Sequence, residues 1–121
     1  MLWDVHRFYA PSVHCAYYSC IQLMIHVLLT NGGYTTITMD AEIKSKKYGN
    51  TSHTFYIKKV TELIAGINRS KCNTFNKIWS LKDFRNKSDY QDIEITNDDA
   101  NKATSLSVEI NALLRNIFNI S

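Results

Sequence analysis

Residues 12–33, which read SVHCAYYSCIQLMIHVLLTNGG, hold the clearest structural pattern in this 121-residue chain. Their apolar residues recur at intervals of three and four, the spacing of one face of an α-helix. These residues are Val13, Ala16, Tyr17, Cys20, Met24, Val27 and Leu28. Pro11 and Ser12 suit the first positions of a helix, and Asn31-Gly32-Gly33 is typical of a helix end. The pattern predicts a core helix from about Ser12 to Thr30.

The segments on either side of this helix are less regular. Residues 2–10 predict a short helix that breaks before Pro11, since proline disfavours helix in the residue that precedes it. Residues 34–50 show no helical period, and we expect a loop there, although β-branched residues also permit a short strand over 34–39. The loop would carry a basic cluster of Lys44, Lys46 and Lys47. This cluster would either follow a phosphate backbone or be solvated.

Three more helices are expected in the second half of the chain. Thr51 or Ser52 would cap the first of them, which would break at residues 68–70. Its apolar stripe is Tyr56, Val60, Leu63, Ile64 and Ile67. A helix over residues 73–90 would point five residues inward: Phe75, Ile78, Trp79, Leu81 and Phe84. After a linker at 91–95, Thr96 would cap a last helix whose buried face is Ala100, Ala103, Leu106, Ile110, Leu113 and Ile117.

The composition agrees with an all-α protein. One proline and four glycines leave few residues that break helices, and 45% hydrophobic residues suit one modest core. No repeat or composition shift indicates a second domain. We therefore expect residues 1–121 to form one domain, an up-and-down bundle of four to five helices.

Charge and cysteine content bear on partners and compartment. Residues 1–88 carry twelve Lys and Arg against five Asp and Glu, whereas residues 89–121 carry two against six. Such an asymmetry suits an acidic partner, pairing within a dimer, or simply solvated helix faces. Three cysteines without regular spacing favour a reducing compartment. Residues 13–29 are apolar but short for a bilayer span, and Asp4 and Arg7 do not suit a secretion signal. We expect a cytoplasmic protein without membrane association.

Two motifs resemble those of the HEPN (higher eukaryotes and prokaryotes nucleotide-binding) family. Residues 9–19, YAPSVHCAYYS, are similar to the family's second-helix pattern, in which Ala-Tyr-Tyr-Ala/Ser recurs. Residues 85–90, RNKSDY, are similar to its Arg-x-x-Ala/Ser-Asp-Tyr motif at the end of a later helix. Ser52-His53 also falls where members often place a histidine that opens a helix. The resemblance covers nearly the whole chain and implies a helical bundle that dimerises.

The resemblance also implies a function. Many HEPN proteins are ribonucleases, in which an arginine a short distance ahead of a histidine acts across a dimer interface. Here Asp89, Tyr90 and Gln91 follow Arg85, and none of them is a general acid or base near neutral pH as histidine is. We therefore expect no enzyme activity. The protein would instead bind RNA, a nucleotide or a nucleotidyltransferase partner, as other members do.

Five residues form the candidate binding site implied in this way. They are Arg85, Asp89, Tyr90, Tyr17 and Tyr18. Arg85 and Asp89 lie one helical turn apart, so Arg85 could hold a phosphate while Asp89 orients it. A plain intrahelical ion pair explains the same spacing. Tyr17 and Tyr18 would either pack in the core or turn a hydroxyl toward Arg85.

Two other functions remain open at this point. One is a divergent, toxin-like ribonuclease that needs no metal, in which Arg85 stabilises the phosphate and another group replaces the missing histidine. The other is a structural subunit of a larger assembly. His53 is a remote candidate for the missing group, since it opens a helix in a basic neighbourhood, but a surface position explains it equally well. The spacing of the histidines and cysteines does not suit a metal site, and no motif indicates a cofactor.

Overall fold

The computed structural model describes the backbone of residues 2–46, 51–89 and 96–120, and the side chains of residues 12–46, 51–87 and 96–120. Within these ranges the secondary structure is entirely helical, which confirms the all-α prediction. The elements are α1 (Leu2–Asn31), α2 (Thr36–Ser45), α3 (Ser52–Ile67), a 3₁₀ turn (Arg69–Lys71), α4 (Cys72–Phe75), α5 (Ile78–Asp89) and α6 (Asn97–Ile117). The order of the helices in space as an up-and-down bundle stays a prediction.

Helix α1 is the centre of the bundle and packs against α3, α5 and α6. All seven residues of its predicted apolar face are buried. The predicted break before Pro11 is wrong, because α1 continues through that position. The predicted end is confirmed: the amide of Gly32 donates to the carbonyl of Leu28, and Gly33 adopts a positive φ of 73°.

The same helix has the length and composition of a membrane span. The stretch Ser12–Asn31 has a mean hydropathy of 1.3, and 39% of it is buried inside the protein. A core helix and a spanning helix both meet this description. Here the apolar side chains that recur at helical spacing, from Val13 to Leu28, are buried against the other helices.

Helix α2 corrects the prediction of a loop or strand over residues 34–50. Its start is fixed by a capping box. The hydroxyl of Thr35 accepts a hydrogen bond from the amide of Thr38, and the hydroxyl of Thr38 accepts one from the amide of Thr35. This local hydrogen bonding outweighs the weak preference of β-branched residues for strands. Only Met39 of α2 is buried, whereas Ile37 is 81% exposed. The helix is therefore lightly anchored to the bundle.

The predicted basic cluster is changed by α2. Lys44 lies in the last turn of the helix, where its ammonium pairs with Asp40 at 3.1 Å. Lys46 ends the helix in a left-handed conformation with φ of 58°. Lys47 lies outside the described residues. The two described lysines thus belong to a helix and its end, because the capped helix extends through most of the expected loop.

The remaining boundaries are partly as predicted. Thr51 caps α3 and Thr96 caps α6, the latter through a capping box with Asp99. The helix expected over 73–90 is instead divided, because a turn at residues 76–77 separates α4 from α5. Two predicted inward positions are wrong, since Ile67 is 60% exposed and Trp79 is 40% exposed. The expected linker at residues 91–95 lies outside the described residues.

The contact between α1 and α6 is made close by small side chains. Ser107, buried on α6, places its Oγ 2.9 Å from the carbonyl oxygen of Ala16 and 3.1 Å from Oγ of Ser19. Asn111, one turn further along, donates to the carbonyl of Ser107 at 2.8 Å. These hydrogen bonds satisfy polar groups at a buried helix contact, where an unpaired group would be costly.

We expect the substitution Ser107→Leu to lower the free energy of unfolding by about 1–3 kcal/mol, because extra methylene groups would force α1 and α6 apart. Ser105→Leu is the matched control, since Ser105 is exposed on the same helix. That control should change stability by about 0.5 kcal/mol or less. Urea denaturation followed by circular dichroism measures both. Equal losses in the two variants would contradict the close contact.

Candidate functional site

Two neighbouring tyrosines of α1 form the base of the site. Tyr17 is fully buried, whereas Tyr18 is half-buried. Their rings meet edge to face, with centroids 5.5 Å apart and planes at 72°. Both rings project from the central helix, and the hydroxyl of each faces a different neighbour.

Arg85 reaches the tyrosines from α5. Its Nη2 donates to the hydroxyl of Tyr18 at 3.0 Å, and its Nη1 donates to Oδ1 of Asn86 at 3.2 Å. The guanidinium carbon lies 5.8 Å from the ring centroid of Tyr17 and 5.7 Å from that of Tyr18. At these distances the ring faces attract the cation. The two motifs that are distant in sequence thus meet at one point in the fold.

His53 enters the same site from the first turn of α3. Thr51 caps this helix by accepting a hydrogen bond from the amide of Thr54. Nδ1 of His53 lies 3.0 Å from the hydroxyl of Tyr17, and its ring lies 5.6 Å from that of Tyr18. His53, a remote candidate in the sequence analysis, therefore belongs to a cluster with Tyr17, Tyr18 and Arg85.

A cavity of about 220 Å³, which we call the α3–α5 cavity, opens beside this cluster. It is lined by Thr51, Ser52, His53, Lys82 and Arg85. None of these residues is a carboxylate, and Lys82 has no ion-pair partner among the described residues. The N-terminus of α3 adds the positive end of the helix dipole. Among the described residues, hydrogen-bond donors and positive charge therefore dominate the lining of the cavity.

The electrostatics of the site fix the protonation of two groups. Partial burial, and the positive charges of Arg85 and Lys82, lower the pKa of His53 from its ordinary value. The imidazole is therefore neutral at neutral pH. Burial raises the pKa of the Tyr17 hydroxyl to about 12, although the charge of Arg85 opposes the shift. Tyr17 consequently keeps its proton.

The structure brings together three of the five candidate residues, namely Tyr17, Tyr18 and Arg85. The side chain of Asp89 and the whole of Tyr90 lie outside the described residues. Lys44 and Lys46 do not line the α3–α5 cavity.

Lys82 lines the cavity but is not among the candidate residues predicted from the sequence. It lies three residues before Arg85, and this spacing, which places both cations on one helix face, is the pattern that could have identified it. Its role depends on the same helix face turning toward the start of α3, which only the fold shows.

A larger cavity of about 480 Å³ lies between α5 and α6. Its lining is mixed: Phe84 and Leu106 are apolar, Lys102 is basic, and Asp98 and Glu109 are acidic. Glu109 is already paired with Lys77 at 2.7 Å. Because its charges are of both signs, this cavity has no evident preference for one class of ligand, unlike the donor-lined α3–α5 cavity.

Comparison with known proteins gives no relative for this chain. No protein-family model matches it, and no curated protein and no solved structure matches it either. Among the described residues, no three His, Cys, Asp or Glu side chains are grouped as metal ligands.

Proposed function

We propose that the protein is a non-catalytic, HEPN-like helical protein that binds the phosphate groups of RNA or of a nucleotide in the α3–α5 cavity. The observation that carries the proposal is the convergence of Arg85, Lys82 and His53 on one cavity whose lining, among the described residues, holds no carboxylate. Arginine offers a planar fork of donors that suits phosphate oxygens, and lysine adds a point charge. A neutral imidazole adds one further donor.

The meeting of the two resemblance motifs supports the same proposal. Tyr18 belongs to the first motif and Arg85 to the second, and their side chains are hydrogen bonded at 3.0 Å. A homodimer and a nucleotidyltransferase partner are parts of the proposal that rest on the family resemblance alone, whereas a cytoplasmic location rests on the irregular spacing of the cysteines.

A matched pair of lysine variants tests phosphate binding. Lys82 lines the cavity, whereas Lys87 lies on the same helix outside its lining and pairs with Asp83 at 3.8 Å. Each of Lys82→Ala and Lys87→Ala removes one positive charge. We expect only Lys82→Ala to weaken binding of a single-stranded RNA and to reduce the slope of log affinity against log salt by roughly 0.7.

Fluorescence anisotropy with labelled RNA at several salt concentrations provides the measurement. Excess mononucleotide is then added as a competitor, and displacement of the RNA would show that the cavity also binds a nucleotide. If Lys82→Ala and Lys87→Ala behave alike, the cavity is not the binding site. If the unaltered protein binds neither RNA nor nucleotide, the proposed function is wrong.

A second candidate function is favoured by the position of His53. His53 of α3 lines the same cavity as Arg85, so in this candidate function His53 would replace the histidine that is absent after Arg85. Cleavage of RNA in the presence of EDTA that is lost in both Arg85→Ala and His53→Gln would establish a metal-independent ribonuclease. We expect no such cleavage, since Asp89, Tyr90 and Gln91 stand where the ribonucleases of the family carry their histidine.

A further inference from the structure

The hydroxyl of Tyr17 and Nδ1 of His53 lie within hydrogen-bonding distance. Tyr17 is fully buried, and Nδ1 of His53 at 3.0 Å is the only hydrogen-bond partner of its hydroxyl among the described residues. A buried hydroxyl that retains its proton is costly unless it donates that proton to an acceptor. The hydroxyl therefore donates, and Nδ1 must accept with its lone pair.

A neutral imidazole carries one N–H, so an accepting Nδ1 places the proton on Nε2. The charged form would put a proton on Nδ1 as well. Tyr17 would then have to accept, and its own hydrogen would lose its only acceptor among the described residues. The positive charges of Arg85 and Lys82 at the same cavity oppose the charged form further. Geometry and charge thus favour the same single state.

We propose that Tyr17 is a positioning residue, which holds the His53 ring with its proton on Nε2 so that His53 offers an N–H donor to phosphate in the α3–α5 cavity. This inference rests on the proposed function for its ligand. It also predicts whether His53 acts as a hydrogen-bond donor or as a base. The lone pair that a general base needs is held by Tyr17 at Nδ1, and Nε2 carries a hydrogen, so His53 binds an anion instead of removing a proton.

The test uses long-range ¹H–¹⁵N correlation spectra of protein labelled with ¹⁵N-histidine, recorded at neutral pH without ligand. The chain has four histidines, and the signal lost in His53→Gln assigns the residue. We expect His53 to show an unprotonated Nδ1 and a protonated Nε2. Tyr17→Phe should move the signals toward a mixture of the two neutral tautomers. A proton on Nδ1 in the unaltered protein would overturn the inference.

Tyr56→Phe is the matched control. The ring of Tyr56 lies 6.3 Å from that of His53, and its hydroxyl makes no hydrogen bond to His53. Tyr56→Phe therefore removes a hydroxyl from another tyrosine beside His53 and leaves the hydrogen bond at Nδ1 unchanged. We expect its His53 signals to match those of the unaltered protein. Equal changes in both variants would show that loss of packing, and not loss of the hydrogen bond, moves the tautomer.

A second measurement links the tautomer to the ligand. Because a mixture of tautomers leaves only part of the protein with a proton on Nε2, Tyr17→Phe should weaken binding of inorganic phosphate or single-stranded RNA by about twofold. Tyr56→Phe should bind as the unaltered protein does. The ring spectra do not require a ligand, so the two claims fail separately. Phosphate that does not bind rejects the proposed function, whereas normal binding by Tyr17→Phe rejects the role of Tyr17.

Discussion

The substitution Phe75→Ala should lower the free energy of unfolding by about 3–5 kcal/mol, the usual loss for a large aromatic side chain removed from a core. Phe75 is 0% exposed, although α4 is a single helical turn. This turn contacts both α3 and α6, so the buried ring lies where the middle of the chain packs against the last helix. The loss would be a large fraction of the stability of a domain of this size.

Trp79→Ala is the control for Phe75→Ala. The two residues lie four positions apart and were both expected to face inward, but Trp79 is 40% exposed. We expect Trp79→Ala to cost about 1 kcal/mol or less, as exposed positions usually do. Urea denaturation followed by circular dichroism compares them. If Phe75→Ala does not fold, Phe75→Leu, which leaves a smaller cavity, provides the same comparison. A larger loss for Trp79→Ala would contradict the packing of α4.

The substitution Arg85→Ala should weaken RNA binding by about 10- to 100-fold. Hydrogen bonds to a charged group contribute roughly 1.5–3 kcal/mol, and each 1.4 kcal/mol is a factor of ten in affinity. Arg85 also donates to Tyr18, so its removal loosens a contact that holds the site together. Anisotropy with a labelled single-stranded RNA, in buffer containing EDTA, measures the effect and reports any cleavage.

Two further variants separate the possible causes of the Arg85 effect. Arg69→Ala removes the same charge from an exposed position in the 3₁₀ turn, and its affinity should stay within about twofold of the unaltered protein's. Arg85→Lys keeps the charge but loses the planar fork, so we expect it to recover only part of the affinity. Weakening by Arg69→Ala as great as by Arg85→Ala would show that overall charge, and not the cavity, holds the RNA. An Arg85→Ala protein that binds normally would favour a purely structural subunit.

The sequence by itself determined the local features of this protein. The three-and-four spacing in residues 12–33 required a helix with one buried face, and the glycines at its end allowed the turn that stops it. Thr51 and Thr96 marked the starts of α3 and α6, because a hydroxyl at that position satisfies amides that the helix leaves unbonded. These features depend on interactions between residues four positions apart or fewer, so the sequence predicts them without knowledge of the tertiary structure.

Only the tertiary structure decided which of these elements meet. Trp79 is 40% exposed whereas Ile78 and Leu81 on the same helix are buried, and the side of α5 that faces the other helices depends on how that helix docks. His53 reaches Tyr17 across 36 positions of sequence, and Arg85 reaches Tyr18 across 67. Such contacts depend on how α3 and α5 dock on α1, which the packing of all three side-chain surfaces sets together. The candidate residues were therefore identifiable in the sequence, whereas their union in one donor-lined cavity is a property of the packed bundle.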